Sequence, residues 1–456
     1  MSPSWLRQLT AAFPRGVIAA DAETLGAHAG DAWFARTIPE AVFFPRQAKD
    51  VARLLRFANR RKIPVTARGA GRGYVGGCVP KRGGIVVSFA KMNRILEINA
   101  VDGVGVVQPG VITGEFQARA RQLGLLYPPD PASLKECSLG GNVATNAGGP
   151  RCLKYGVTRH YVLGLQVALA DGTLVRVGGR TQKNKSGFDL VGIFVGSEGL
   201  LGLVTEITLR LIPAPPARAV LSASFADAAT AAACVQHVFR EGFLPSALEL
   251  ADRFTLEAAR KHLGAEHLPP GNAHLLLEID GQPKSVSSEI RALAEILKSG
   301  GALEIATALT EPACERLWDL RREFSASLKA TGLTKLNEDI CVPRSRLVDL
   351  FNFTARLQKK YRVEIASFGH AGDGNIHVNI MADMSLPGVK ARTDLALDAL
   401  FRQIIAWNGA ITGEHGIGLA KMPWWTRAAS PELRKLHTRV KLALDSQRIL
   451  NPGKFV

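Results

Sequence analysis

The sequence predicts an α+β protein of two domains, and three observations carry that prediction. Short strands joined by glycine-rich turns crowd the first half of the chain. Pro213, Pro215 and Pro216 then interrupt it. Beyond them, longer helical periodicities alternate with extended runs, the texture of an antiparallel sheet with helices on one face. The 456 residues exceed one ordinary domain, and 46% hydrophobic against 21% charged residues leaves ample material for a globular core.

Residues 48–59 read as a helix because Val51, Leu54, Leu55 and Phe57 or Ala58 recur three or four apart and so share a face. Residues 63–66, 85–89, 95–98 and 104–107 read as short strands. Residues 165–169 and 174–177 form a hairpin, since Asp171-Gly172 supplies the positive φ angles of a tight turn. A further strand runs over 203–211. After the prolines, helical spacing covers 228–239, 285–297, 312–329, 346–359 and 391–408, while 273–279, 340–342 and 377–381 look extended.

The formal charge of +17 would suit nucleic acid, an anionic membrane surface or an acidic protein. The basic residues are dispersed, however, and clusters such as Arg60-Arg61-Lys62 and Lys359-Lys360 fall at predicted helix ends, where cations meet the dipole. Nucleic acid is therefore set aside, whereas association with a membrane surface or an acidic partner stays open. Six cysteines without a CxxC spacing argue against an iron–sulfur cluster or structural zinc and suit a reducing compartment. No run of about 18 apolar residues is present, and Arg7 sits inside the apolar N-terminal stretch, so neither a transmembrane helix nor a signal peptide is expected. The expected location is cytoplasmic, with peripheral attachment to the cytoplasmic face of a membrane as the variant.

Gly71-Arg-Gly73-Tyr-Val-Gly76 fits GxGxxG and follows a predicted strand, yet no helix follows to aim its N-terminus at a pyrophosphate. A Rossmann site is therefore not predicted. The loop can still turn successive N–H groups inward as an anion nest, with Arg68 or Arg72 nearby. A second segment, Pro129 to Ser133 and then Cys137 to Gly149, and a third, Gly196 to Gly202, complete three backbone walls for one large flat ligand.

The most informative side chains are His370 and His377, bracketing Gly-His-Ala-Gly-Asp-Gly-Asn-Ile-His, and Glu414-His415 within Thr-Gly-Glu-His-Gly-Ile-Gly. Three of the four would make a His/His/carboxylate set for one divalent metal and leave an imidazole beside it. The flanking glycines suggest sharp turns and close ligand approach rather than a strand that buries a histidine. Asp373, between two glycines, reads as a turn former and not a ligand.

Together these segments resemble the vanillyl-alcohol oxidase superfamily, with its PCMH-type FAD-binding domain. The closest resemblance is to the branch of the glycolate oxidase flavoprotein subunit, FAD-linked D-lactate dehydrogenase and D-2-hydroxyglutarate dehydrogenase. The carrying motifs are Pro64-Val-Thr-Ala-Arg-Gly-Ala-Gly, Ser138-Leu-Gly-Gly-Asn-Val-Ala-Thr-Asn-Ala-Gly-Gly, Gly196-Ser-Glu-Gly, Gly369-His-Ala-Gly-Asp-Gly-Asn-Ile-His, Gly413-Glu-His-Gly-Ile-Gly and Asn451-Pro-Gly-Lys. The resemblance implies an N-terminal extension (1–35), a PCMH-type FAD-binding domain (36–215) and a C-terminal antiparallel-sheet-and-helix substrate or cap domain (216–456) whose last segment returns to the flavin.

It also implies site residues. Arg68, Gly69, Ala70, Gly71, Arg72 and Gly73 would hold the FAD pyrophosphate, and Ser133, Ser138, Gly141, Asn142, Thr145, Glu198, Gly202, Val204 and Asn451 would line the rest. The FAD is expected to be non-covalent, because the first loop has no histidine. His370, His377 and Glu414 would ligate a divalent metal, zinc or manganese, with His415 as catalytic base. Arg321, Ser325, Lys335 and Asn379 would bind substrate, whereas Arg322 reads as a helix-surface charge. The implied reaction is oxidation of a small D-2-hydroxy acid, glycolate or D-lactate first. A metal on the hydroxyl lowers its pKa, His415 takes the proton, and hydride passes to flavin N5. Electrons would leave to a quinone, a cytochrome, an electron-transfer flavoprotein or a separate Fe–S subunit. The alternatives are a non-catalytic flavoprotein subunit of a larger redox complex and a metal-dependent hydrolase, which would leave the FAD-like loops unexplained.

Overall fold

The helix read at residues 48–59 spans Ala48–Arg61, and Val51, Leu54, Leu55 and Ala58 are fully buried along one face. The computed structural model describes residues 4–265 and 268–456. Its two units are Met1–Gly148, Val157–Ala214 and Glu414–Val456 on the one hand, and Gly149–Gly156 and Pro215–Gly413 on the other.

In the first unit, Ala41–Phe43 and Val65–Arg68 flank Ile85–Ser88 in parallel, and the helix Ala48–Arg61 packs its apolar face on them. Parallel neighbours are usually joined through a helix. Here residues 69–84 cross without one, so the glycine loop is not a Rossmann turn, as its sequence context predicts. A second, antiparallel sheet orders Ile95–Asn99, Val104–Val107, Leu203–Arg210, Val162–Ala168 and Leu174–Gly178. Its last two strands are the predicted hairpin, with Gly172 at φ +83°. The end of the chain lies along Val65–Arg68: Val65 N–H donates to Ile449 O (2.8 Å) and Asn451 N–H to Val65 O (2.7 Å).

The second unit is built on seven antiparallel strands in the order Glu304–Ala308, Ala217–Phe225, Ala273–Gly281, Ala247–Ala251, Glu364–His370, Asn375–Ala382, Thr334–Cys341. The expectation of helices on one face is corrected. Arg253–Leu263 and Glu311–Ala330 pack on the face bearing Ala251, Ala366, Phe368 and Met381. The alternate positions Leu248, Leu250, Ile365, Ile376, Val378 and Ile380 are buried too, and Ala228–Arg240, Leu347–Tyr361 and Val389–Ala406 form a separate group of helices on this sheet. Strands buried on both faces lose the polar/apolar alternation that would mark them. Glu364–His370 was missed for that reason.

Candidate active site

Cross-strand register places the chemistry of the second unit. Glu249 stands opposite His370, Phe368 opposite His377, and His377 opposite Asp339. Directly opposed residues project to the same side of a sheet, as do residues two apart. Glu249, His370, His377, Asn379, Asp339, Asn337 and Lys335 therefore share one face, the face on which Glu311–Ala330 lies.

Both histidines belong to strands: His370 ends Glu364–His370, and His377 lies within Asn375–Ala382. This corrects the reading of their glycines as marks of ligand approach. Gly374 makes the turn at φ +84°, where a Cβ would overlap Val342 O, and the Cβ of any residue at 372 would overlap the Leu153 side chain. Asp373 is the expected turn former, its Oδ1 accepting the Asn375 N–H (3.2 Å).

Glu249 is the residue that sequence reasoning overlooked. Its Oε1 lies 2.6 Å from His370 Nδ1, and its Oε2 accepts from Arg321 Nε (2.7 Å) and Nη2 (2.6 Å). Burial alone would raise this carboxyl; His370 and Arg321 outweigh burial and hold it at about 2. With Nδ1–H given to the carboxylate, His370 presents the lone pair of Nε2, the arrangement found at metal-ligating histidines. The signal was present in the sequence, since a lone glutamate in the apolar run Ala-Leu-Glu-Leu-Ala must be paired if buried.

His370, His377 and Glu414 each offer one ligand atom, and these atoms lie within 4.8 Å of one another. Gly413 N–H, one residue before Glu414, donates to Asp339 Oδ2 (3.0 Å). Two imidazoles and one carboxylate suit zinc or manganese. The donor set and the carboxylate behind His370 therefore fit a divalent metal.

Of the expected substrate residues, Arg321 has its Nε–Nη2 edge taken by Glu249. Lys335 Nζ donates to Ser325 Oγ (2.9 Å), and burial, then Lys329 and Arg321, push this lysine down to about 8. Asn379 Nδ2 donates to Ala366 O and His377 O (3.0 Å each), and its buried Oδ1 accepts no hydrogen bond within the described residues. Arg322 pairs with Asp319 and Glu315 on the helix surface, as expected.

In the first unit the glycine walls come together. A Cβ at Gly69 would overlap Ser138 Oγ and crowd the backbone of Gly141 at 3.3 Å, so the first loop meets the start of the helix Leu139–Thr145 only because it carries no side chain there. That shared backbone wall, with Gly71 at φ +71°, fits a phosphate-bearing cofactor. Few of the expected cofactor side chains are left to face it. Arg68 donates to Gly30 O and to Cys78 Sγ (3.3 Å), and Arg72 pairs with Glu136 (3.0 Å) at the surface. Ser138 accepts from Gly141 N–H (3.3 Å), Asn142 Nδ2 donates to Thr113 Oγ1 (2.7 Å), Thr145 to Gly141 O (3.2 Å), and Ser133 O accepts from Glu136 and Cys137 N–H (2.8 Å each). Gly202 packs against Val167 and Phe194, and Val204 pairs with Val167. These residues build the wall, and the backbone N–H groups of the loop Gly69 to Gly73 are donors it can offer a ligand.

His415 lies in the same unit, its ring centroid 5.4 Å from that of Tyr74 and its Nε2 3.8 Å from Glu414 Oε1. Glu198, expected beside the cofactor, spends its carboxylate on the backbone of Ile417 (2.7 Å) and Gly418 (2.8 Å). Asn451 Nδ2 donates to Gly77 O (3.0 Å) and Glu198 O (2.8 Å). Among the described residues no helix is long and apolar enough to cross a membrane.

Comparison with known proteins places these features. Residues 39–178 match the FAD binding domain, and residues 214–455 match FAD linked oxidases, C-terminal domain. The chain is 38% identical over 420 residues to the glycolate oxidase subunit GlcD of Bacillus subtilis, spanning 92% of this chain and 89% of that one. It is 36% identical over 413 residues to a D-lactate dehydrogenase of Archaeoglobus fulgidus, spanning 90% of each. Among solved structures, p-cresol methylhydroxylase with substrate bound superposes with a TM-score of 0.81 at 19% identity, covering 99% of this chain and 96% of that one. At that identity the likeness is one of fold: a PCMH-type FAD-binding domain with a C-terminal antiparallel sheet.

Proposed function

This chain belongs to the FAD-linked oxidase family, as an oxidoreductase related to glycolate oxidase and D-lactate dehydrogenase, and on that premise we propose that it oxidises a small D-2-hydroxy acid, glycolate or D-lactate, to the 2-oxo acid. The carrying observation is the His370, His377 and Glu414 set, with ligand atoms within 4.8 Å, on a chain of an FAD-binding family. Residues 36–215 would hold FAD non-covalently on the glycine walls, with the C-terminal segment at Asn451 supporting them, and residues 216–456 would supply the substrate groups.

In this reading the substrate carboxylate meets Lys335 and the Nη1 side of Arg321, with Ser325 and the buried Asn379 Oδ1 orienting the rest. A divalent metal held by His370, His377 and Glu414 would supply polarisation of the hydroxyl, and FAD on the glycine walls would supply a hydride acceptor. His415 receives the hydroxyl proton, and Glu249 keeps His370 Nε2 available as a ligand by holding Nδ1–H. The expected electron acceptor is a quinone, a cytochrome, an electron-transfer flavoprotein or a separate Fe–S subunit.

Replacing His415 by alanine tests the assignment. The variant is expected to keep FAD and metal while flavin reduction by substrate slows roughly 10²–10⁴-fold; reduction at the normal rate would remove His415 from the role of base.

A further inference from the structure

Three motifs far apart in the sequence, Gly196-Ser-Glu-Gly, Gly413-Glu-His-Gly-Ile-Gly and Asn451-Pro-Gly-Lys, meet at one residue, Glu198. Glu198 is buried, and its two oxygens divide the work: Oε1 accepts from Ile417 N–H at 2.7 Å and Oε2 from Gly418 N–H at 2.8 Å. These amides follow His415 by two and three residues. Gly416, between them and the imidazole, has φ +86°, and a Cβ there would stand 2.8 Å from Glu198 Oε1, so the loop can close on this carboxylate only without a side chain.

Glu198 is itself held in an uncommon shape. Its φ is +50°, a left-handed conformation that costs a non-glycine residue and persists only where neighbours impose it. Its N–H donates to Ala144 O (2.8 Å) and its carbonyl accepts from Asn451 Nδ2 (2.8 Å). Asn451 is left-handed too, at φ +44°, and its amide reaches Gly77 O (3.0 Å) as well. Lys454 closes the tail by donating to Val79 O (2.7 Å). Burial raises the Glu198 carboxyl, opposed by the two amides and by the charge of Lys454.

We propose that Glu198 is a positioning residue for His415, fixing the loop that carries the imidazole, and that Asn451 in turn fixes Glu198. The inference rests on the reading of His415 as base. Hydrogen bonds to an ionised acceptor are stronger than neutral ones, and two of them on successive amides leave the loop little freedom. Glutamine cannot reproduce them: it offers one acceptor, and its NH₂ would face the second N–H donor. Displacing a reacting group by about 1 Å can cost roughly 100-fold in rate, so the loss of this anchor is expected at the chemical step.

The test uses FAD-loaded full-length protein and four variants: Glu198→Gln, Asn451→Ala, His415→Ala, and Glu198→Gln combined with His415→Ala. Hydrogen exchange over residues 413–420 is read first, and Glu198→Gln is expected to lose protection there with FAD content retained. Anaerobic flavin reduction by D-lactate and glycolate is read second. Glu198→Gln should slow it roughly 10- to 100-fold with little change in the substrate concentration needed, Asn451→Ala should do so more mildly, and the double variant should be no slower than His415→Ala alone. Unchanged protection in Glu198→Gln, or two effects that multiply in the double variant, would overturn the proposal. If Glu198→Gln does not fold, Asn451→Ala decides, since it leaves the carboxylate in place and loosens only its support; unchanged exchange and rate in that variant would overturn the proposal as well. Normal reduction in His415→Ala would instead remove the base reading itself, and the exchange result would still report whether Glu198 holds the loop.

Discussion

Glu249 Oε1 stands 2.6 Å from His370 Nδ1, and the same carboxylate holds the guanidinium of Arg321. One buried acid thus orients a candidate metal ligand and a candidate substrate cation together. Glu249→Gln is expected to weaken metal binding roughly 10- to 100-fold, measured by competition with a chromophoric chelator. Unaltered affinity would show that His370 does not rely on this partner.

Lys335, pushed down to about 8 by burial and by Lys329 and Arg321, should lose its charge well below the ordinary lysine range. A carboxylate substrate needs the ammonium, so KM is expected to rise as pH increases through about 8. The stability sign runs the other way. Above about pH 8 the unfolded chain still binds a proton that the folded one has released, so stability should rise with pH up to the ordinary lysine pKa. Lys335→Met should flatten both trends, by steady-state kinetics and by denaturant titration across that window; a KM that keeps its pH dependence in the variant would clear Lys335 of the role.

Gly374 turns the hairpin between the two histidine strands at φ +84°, against Val342 O. Gly374→Ala is expected to cost about 1–3 kcal/mol and to lower metal content together with the melting temperature. A variant as stable as the parent would mean that the turn relaxes without moving the histidines.

Much of this was legible in the sequence where local physics decides. Val51, Leu54, Leu55 and Ala58 announced their helix by spacing, and Asp171-Gly172 its hairpin. His370, His377 and Glu414 were legible as a candidate ligand set because their residue types carry the chemistry, whatever elements hold them. The strand under His370 was not, because Glu364–His370 is buried on both sides. Glu249, Glu278 and Asp339 were missed for a related reason. Each is a buried acid on a strand of the sheet, paired with residues far along the chain, such as Arg151, 127 positions from Glu278. The acid announces that a partner exists, but only the register of the sheet says which.

In the proposed reaction this protein takes hydride from a D-2-hydroxy acid. The most direct test is anaerobic addition of D-lactate and of glycolate to the purified FAD-loaded protein, followed by the flavin visible spectrum. Bleaching by at least one of them, with L-lactate inert, is the expected result; a flavin that stays oxidised with every 2-hydroxy acid in a broad panel would contradict it.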